Sequence, residues 1–482
     1  MPHNLPQRFA LVALVALLAL AFRLGGAREA GLDATLSTVA LDFRVVYCGA
    51  EALRDGADPY TVEPLRACEH RVGREPGEPE WAVTPLPLPG YAIALFVPLT
   101  LLPFVAAKLL WVTALALAFA LASACVAAIL RAPSLAVAAI FAPTIGFGIN
   151  LHYGEPVPLA IAALCSAAYA LERGAFLWAA LLIAPAAVEP HLALPAFVAL
   201  ATLVPRSRAA LAVVLLAGIC LSLGALGFAR NLEYFATLLP AQAAAELLAR
   251  DQYSLSRYLA LAGLSPATAL VLGNLSYALA TLAGVLIARD LSTRYARPAF
   301  VALFPPALAM LAGSFVHDVQ IAAALPAAAL LAAHSPFARA AIALLAVDWT
   351  QSWRSQAVPA TVASGGTAGL AFGRRHGRGA IAWLVGAPLA SLALLAALER
   401  VPDDELGRAS VRNAARAVAP PGAVARLRAD DSAARAWALR IALEPGWKDI
   451  TARDIADKVP LWLALIALVA AARSRERVPP VA

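Results

Sequence analysis

Charge is scarce in this chain: 14% of its 482 residues are Asp, Glu, Lys or Arg, against about 25% in an average soluble domain. A soluble fold would have to hide the remaining 61% of hydrophobic residues in an implausibly large core. A bilayer removes that problem, because each span needs about 20 mostly apolar residues. The mean hydropathy of +0.74 agrees. Cysteine is also sparse, with five in all, and no pair has metal-ligand spacing. Cys125, Cys165 and Cys220 lie in apolar windows and read as small core residues. Cys48 and Cys68 share one hydrophilic loop and can pair if that loop meets an oxidising compartment. No HExxH, Gx4GK[ST] or CxxC pattern occurs, which removes support for metalloprotease, P-loop and redox chemistry. Nothing visible calls for a metal or a cofactor.

The net charge of +7 does not point to nucleic acid. Its arginines are scattered between apolar windows, the pattern of residues that fix membrane topology from the cytoplasmic side. The first window, Phe9 to Leu24, is short enough for a signal peptide. With no clean small-x-small cleavage site after it, an uncleaved anchor is expected. A hydrophilic stretch follows, from about residue 25 to 87. Within it, Leu36 to Arg54 carries apolar residues at helical spacing, predicting an amphipathic helix that lies along the interface.

Further candidate spans run near Leu88–Pro103, Leu109–Leu130, Leu135–Ile149, Val157–Leu171, Phe176–Val188, Leu192–Val204 and Ala209–Phe228. Others lie near Ala267–Ala288, Pro298–Gly313, Val319–Ala333, Ala338–Val347, Gly379–Leu398 and Leu461–Ala472. The expected fold is all-α, a polytopic transmembrane bundle of about 12–13 spans. Many windows are short or broken by proline, so half-helices lining a cavity are expected. Residues 1–398 form the membrane module and 399–459 a small soluble helical subdomain. Residues 460–482 supply the last span and a basic tail.

Placing Arg206, Arg208, Arg294, Arg297, Arg374, Arg375 and Arg473 inside puts three regions outside: the first loop, Arg230–Leu264 and Glu399–Pro460. Arg131 conflicts. Charge places it inside, whereas two spans after the first loop would place it outside. Either Leu135–Ile149 stops short of crossing, or Leu88–Leu130 is not two simple spans.

Ionisable groups beside apolar windows are costly in lipid, about 2.5–3.5 kcal/mol each at the bilayer centre, so they face partners or a cavity. Asp42, Glu155, Glu189 with His191, and His317 with Asp318 all fall on the outer side of this topology. Singly, each reads as a polar group at a helix boundary. Together they suggest one site. Sugar transfer from a lipid phosphate needs a base for the acceptor hydroxyl and donors for the leaving phosphate. Asp42 suits the base, and Arg44, Arg257, His191 and His317 suit the phosphate. Glu155, Glu189, Asp318 and Asp58 would line the cavity, although Asp58-Pro59 is also a common turn signal.

Asp42-Phe43-Arg44-Val45-Val46-Tyr47 followed by Gly56-Ala57-Asp58-Pro59-Tyr60 resembles the D-x-x-x-x-Y … G-x-D-P-Y signature of glycosyltransferase family 87. These are polyprenyl-phosphate-mannose-dependent enzymes of the GT-C fold. Pro85-Leu86-Pro87-Leu88-Pro89, Leu110-Trp111, Gly154-Glu155, Asp251-Gln252-Tyr253-Ser254-Leu255 and His317-Asp318 are similar to later family elements. Glu189-Pro190 stands where the family has Lys-Pro, and Glu155 where it has Gln. The resemblance implies an inverting transfer of mannose, with the site at the outer face by the topology above; the high Ala and Arg usage fits a bacterial inner membrane. The donor would be a polyprenyl-phosphate sugar, the acceptor a glycan or glycolipid, the general base Asp42, and His317 would contact the donor. The rival readings are a flippase or solute transporter, which would show matching halves, and a relative that binds lipid-linked sugar without transferring it.

Overall fold

The computed structural model describes residues 4–25, 39–73, 78–146, 148–247, 249, 252–311, 313, 315–349, 353–372, 378–401, 419–443 and 452–474. Among these the chain is helical throughout, and its only β-type pairings are two isolated bridges, Thr61 with Ser432 and Gln252 with His317. Five helices are long and apolar enough to cross a membrane: Leu5–Phe22, Phe104–Leu130, Pro205–Ala245, Pro266–Arg294 and Gly379–Leu398. Shorter apolar helices of 10–17 residues accompany them. Alanine and leucine, which dominate these segments, are strong helix formers.

Burial separates centre from periphery. Every residue of Phe300–Ala309 and of Ala324–Leu331 is buried. The Phe104–Leu130 helix is buried along one side, where Ala107, Trp111, Leu115 and Phe119 pack. Small residues let neighbouring backbones approach: a Cβ on Gly284 would lie 2.9 Å from Pro305 Cα. The helices Arg208–Glu233 and Pro266–Arg294 instead expose Val213, Leu216, Ile219, Phe228, Val271 and Leu286. Such continuous apolar faces have no place in water. The chain is therefore an all-helical membrane protein.

The bundle has two chemically distinct ends. At one, Arg8 donates to Ala132 O and Arg297 to Ile129 O. Arg297 also lies 3.5 Å from Glu172, and Arg294 donates to Ala472 O at 2.9 Å. Arg131 caps the Phe104–Leu130 helix there in a left-handed conformation. At the other end of that helix, about 40 Å away, Phe104 stacks on Phe43 of the first loop.

Of the two ways out of the Arg131 conflict, the structure supports one: Leu88–Leu130 is not two simple spans. Leu88 O accepts from Tyr60 OH at 2.8 Å and Leu102 O from Tyr47 OH at 2.9 Å. Both ends of the segment are thus tied to the same loop. Its two helical pieces, Gly90–Phe96 and Val97–Leu101, would together span about 18 Å, well short of a bilayer's roughly 30 Å core.

The first-loop helix runs Phe43–Arg54 with Asp42 as its N-cap, so the base candidate heads the helix rather than sitting along it. The expected start, Leu36, lies outside the described residues. The helix is buried on most sides, covered by the Val62–Val72 helix, to which the Cys48–Cys68 disulfide staples it, and by the Gly90–Leu101 segment. Cys220 departs from expectation as well, being exposed on the outer face of its helix.

The stretch expected as a separate soluble subdomain does not stand apart where it is described. Residues 419–443 form a strap across the first loop. Val62 N donates to Asp431 O at 2.9 Å, Glu63 N to Ala429 O at 3.0 Å, and Ala433 N to Tyr60 O at 2.8 Å. Arg440 on the helix Ala433–Leu443 lies 2.7 Å from Glu78.

Candidate functional site

The site is built where the first loop docks onto the segment that precedes the Val157–Glu172 helix. Backbone amides of Ala40, Leu41 and Asp42 donate to the carbonyls of Leu151, His152 and Tyr153 at 3.0, 3.1 and 2.8 Å. Gly154 turns the chain at φ +76°, and a Cβ there would meet Ala40 Cα at 2.5 Å. Only glycine satisfies both constraints. Trp111 Nε1 donates to Gly154 O at 2.7 Å and fixes the turn against the central helix. The result brings the Asp42 carboxyl against that of Glu155, whose pKa burial pushes up to about 7.

Glu155 also feels the charges of Glu189, His317 and Glu246. His317 caps the short helix Asp318–Ile321, and its backbone amide donates to Gln320 Oε1 at 3.1 Å. Gln320 Nε2 in turn donates to Glu189 Oε2 at 3.1 Å. His317 Nε2 lies 3.0 Å from Glu246 Oε2 and 2.8 Å from Gln252 Nε2. Phe315 packs between the two histidines, stacked on His317 at 4.7 Å and tilted against His191 at 5.8 Å. His191 Nε2 is 3.9 Å from Glu189. Asp42, Glu155, Glu189, His191 and His317, far apart in sequence, therefore share one cluster.

Other expected site residues have different work. Arg44 is held by Glu78, at 2.8 and 3.0 Å, and donates to Thr84. The Glu78 side chain is fully buried and takes Arg440 as well, so Arg44 is part of a buried ion network. Asp58 accepts from Tyr60 N at 2.9 Å and pairs with Arg230, which shapes the turn and keeps it out of the cluster. Asp318 Oδ1 accepts from Val319 N at 2.7 Å at the start of its helix. Arg257 is fully buried, lies over the Tyr258 ring and reaches Gln252 O at 3.5 Å. It supports the cluster from behind. Asp251 lies outside the described residues.

Three members went unselected from sequence. Lys108, buried near the start of Phe104–Leu130, interacts electrostatically with Asp42 and Arg44, and its ammonium lies over the Phe104 ring at 5.7 Å. A lone cation in an otherwise apolar 27-residue helix was the available signal. Glu246 and Gln320 carried none, since each is an ordinary polar residue at a helix end until folding brings it to His317 or Glu189.

Comparisons with models of protein families, with curated proteins and with solved structures find no match for this chain.

Proposed function

We propose that the protein transfers a hexose, mannose by its motif resemblance, from a polyprenyl-phosphate carrier to the hydroxyl of a glycan or glycolipid. The supporting observation is the Asp42–Glu155 carboxyl pair lying among His317, Glu246, Glu189 and His191 at the end of the bundle opposite Arg8, Arg131, Arg294 and Arg297. By the positive-inside rule that end faces the exterior. In this reading the chain is a multi-pass, GT-C-like protein of a bacterial inner membrane, and its donor arrives in the outer leaflet.

Burial raises the Glu155 pKa to about 7, so a neutral Glu155 beside Asp42 leaves Asp42 as the base. Asp42 takes the acceptor proton as the acceptor oxygen forms a bond to the anomeric carbon. The bond from that carbon to the phosphate oxygen breaks, and the configuration inverts. Charge left on the polyprenyl phosphate is balanced by Lys108 and by His317. The test is to incubate the protein, reconstituted in liposomes, with radiolabelled polyprenyl-phosphate-mannose. Transfer predicts labelled acceptor and stoichiometric polyprenyl phosphate, and unchanged donor over a full time course overturns the reading.

A second reading, a carrier that binds lipid-linked sugar without transferring it, is favoured by one feature. Glu155 and Glu189 make the cluster acid-rich, which opposes a departing phosphate. Saturable donor binding without turnover in the same liposomes would select it.

A further inference from the structure

From Arg208 to Ala245 the chain is helical without a gap. Laid straight, that run would be about 57 Å long, close to twice a bilayer's roughly 30 Å core. Its start belongs to the arginine end of the bundle. Arg206 lies over the Phe176 ring, and Phe176 opens the helix that follows Glu172, the partner of Arg297. Its far part belongs to the first loop, where the Tyr234 hydroxyl donates to Pro87 O at 2.8 Å. Arg208 to Leu226 alone rises about 28 Å, which completes the crossing.

The helix breaks at that point. Gly227 sits at φ +71° and ψ 171°, a backbone region that is essentially glycine's alone. Asn231 clamps the break. Its Nδ2 donates to Gly227 O at 2.7 Å and to Ser222 O at 2.8 Å, and Ser222 Oγ donates to its Oδ1 at 2.5 Å. Gly90 packs on the same spot, since a Cβ there would lie 2.7 Å from Leu226 Cδ1. The change of direction is therefore fixed at the level where the first loop begins.

Beyond the break the helix has three different sides. Asn231, Tyr234 and Leu238 are buried against the protein. Phe228, Leu232 and Phe235 form one stripe at i, i+4 and i+7 and are 73%, 59% and 59% exposed. Glu233 lies about 140° around the helix from Phe228, half exposed and paired with Arg230, which also holds Asp58. An exposed apolar stripe of this size is out of place in water, and Arg208–Leu226 has already used the depth of the bilayer core.

We propose that Phe228–Leu238 lies flat in the outer headgroup layer, with Phe228, Leu232 and Phe235 sunk among the lipid chains and Glu233 turned to the water. The partner of this surface is outer-leaflet phospholipid. The same helix leads on to Glu246, whose Oε2 lies 3.0 Å from His317 Nε2. It thereby holds the acid cluster at headgroup depth, where the polar part of a lipid carrier travels. The proposal is independent of whether that cluster transfers sugar.

Nitroxide collision measurements on the full chain, in nanodiscs of phosphatidylglycerol and phosphatidylcholine, test it. Native Cys220, about 18 Å along the helix from Arg208, carries the label as the reference inside the membrane. Phe228→Cys, Leu232→Cys, Phe235→Cys and Glu233→Cys are labelled in a Cys220→Ser background, where Cys125 and Cys165 are buried and Cys48 and Cys68 are bridged. Each label replaces an exposed side chain, and wild-type melting confirms the fold. The labels at 228, 232 and 235 should meet oxygen rather than nickel ethylenediamine diacetate, at one common depth about 5–10 Å below the headgroup boundary. The Glu233→Cys label should meet the nickel complex. An upright helix would instead lift the label by about 10 Å between 228 and 235. That staircase, or nickel accessibility at the three sites equal to that at 233, overturns the proposal.

Discussion

Glu69 offers a stringent physical test, because it is a buried carboxyl in the loop that carries Asp42. It is 1% exposed, and its Oε1 accepts from Thr84 N at 3.3 Å. Around it stand Arg44, Glu78 and Arg440. Burial pushes its pKa up to about 8, with the Glu78 charge adding to the shift and Arg44 and Arg440 opposing it. In the unfolded chain the same carboxyl titrates near 4.5. Below that pH it is neutral in both states and stability is unaffected. Between the two values the unfolded chain ionises while the folded one keeps its proton, so stability falls as pH rises. The loss is about 1.4 kcal/mol per pH unit, several kcal/mol across the window. Above pH 8 the effect levels off. Glu69→Gln keeps an acceptor for Thr84 and cannot ionise, so it should match the wild type at pH 5 and be more stable by several kcal/mol at pH 8.5. Tryptophan-fluorescence melts of both chains in nanodiscs at the two pH values measure the difference, in which every other titrating group cancels. Parallel pH dependence in the two chains would refute the reasoning.

Arg440→Leu leaves the buried Glu78 with Arg44 alone, and breaking a buried pair costs about 3–5 kcal/mol. The strap at 419–443 should then be cleaved faster in limited proteolysis, and an unchanged cleavage rate contradicts the clasp. Gly154→Ala drives a Cβ into Ala40 in a left-handed backbone, so the chain should still insert but lose most sugar transfer, about 100-fold for a misplacement near 1 Å. Wild-type turnover would show that the turn does not position Asp42. Lys108→Met should raise the KM for polyprenyl-phosphate-mannose about tenfold or more through one lost charge contact. An unchanged KM removes Lys108 from phosphate binding.

Membrane character was readable from composition, because a chain so poor in charge and rich in long apolar windows has one solvent that suits it. The acid cluster was readable in part, since Asp42, Glu155, Glu189, His191 and His317 each interrupt or border an apolar run, and such groups need partners. The partner of Arg44, Glu78, which Arg440 of the strap shares, left no signal in the sequence. Hydropathy alone could not tell that Leu88–Pro103 holds only a short helix, too short to cross. Its composition suits a span, and only the two tyrosine hydroxyls that tie both its ends to one loop reveal its course. The strap was invisible for the same reason, because backbone pairing between residues 60–63 and 429–433 leaves no periodicity in either segment.

The central claim is that the Asp42 carboxylate takes the proton of the acceptor hydroxyl. Single-turnover sugar transfer by Asp42→Asn, in liposomes loaded with radiolabelled polyprenyl-phosphate-mannose, tests it directly. The account predicts that turnover drops by about 100-fold or more, the range a general base supplies, with donor binding retained and the Cys48–Cys68 bridge intact. Turnover equal to that of the wild type would contradict it.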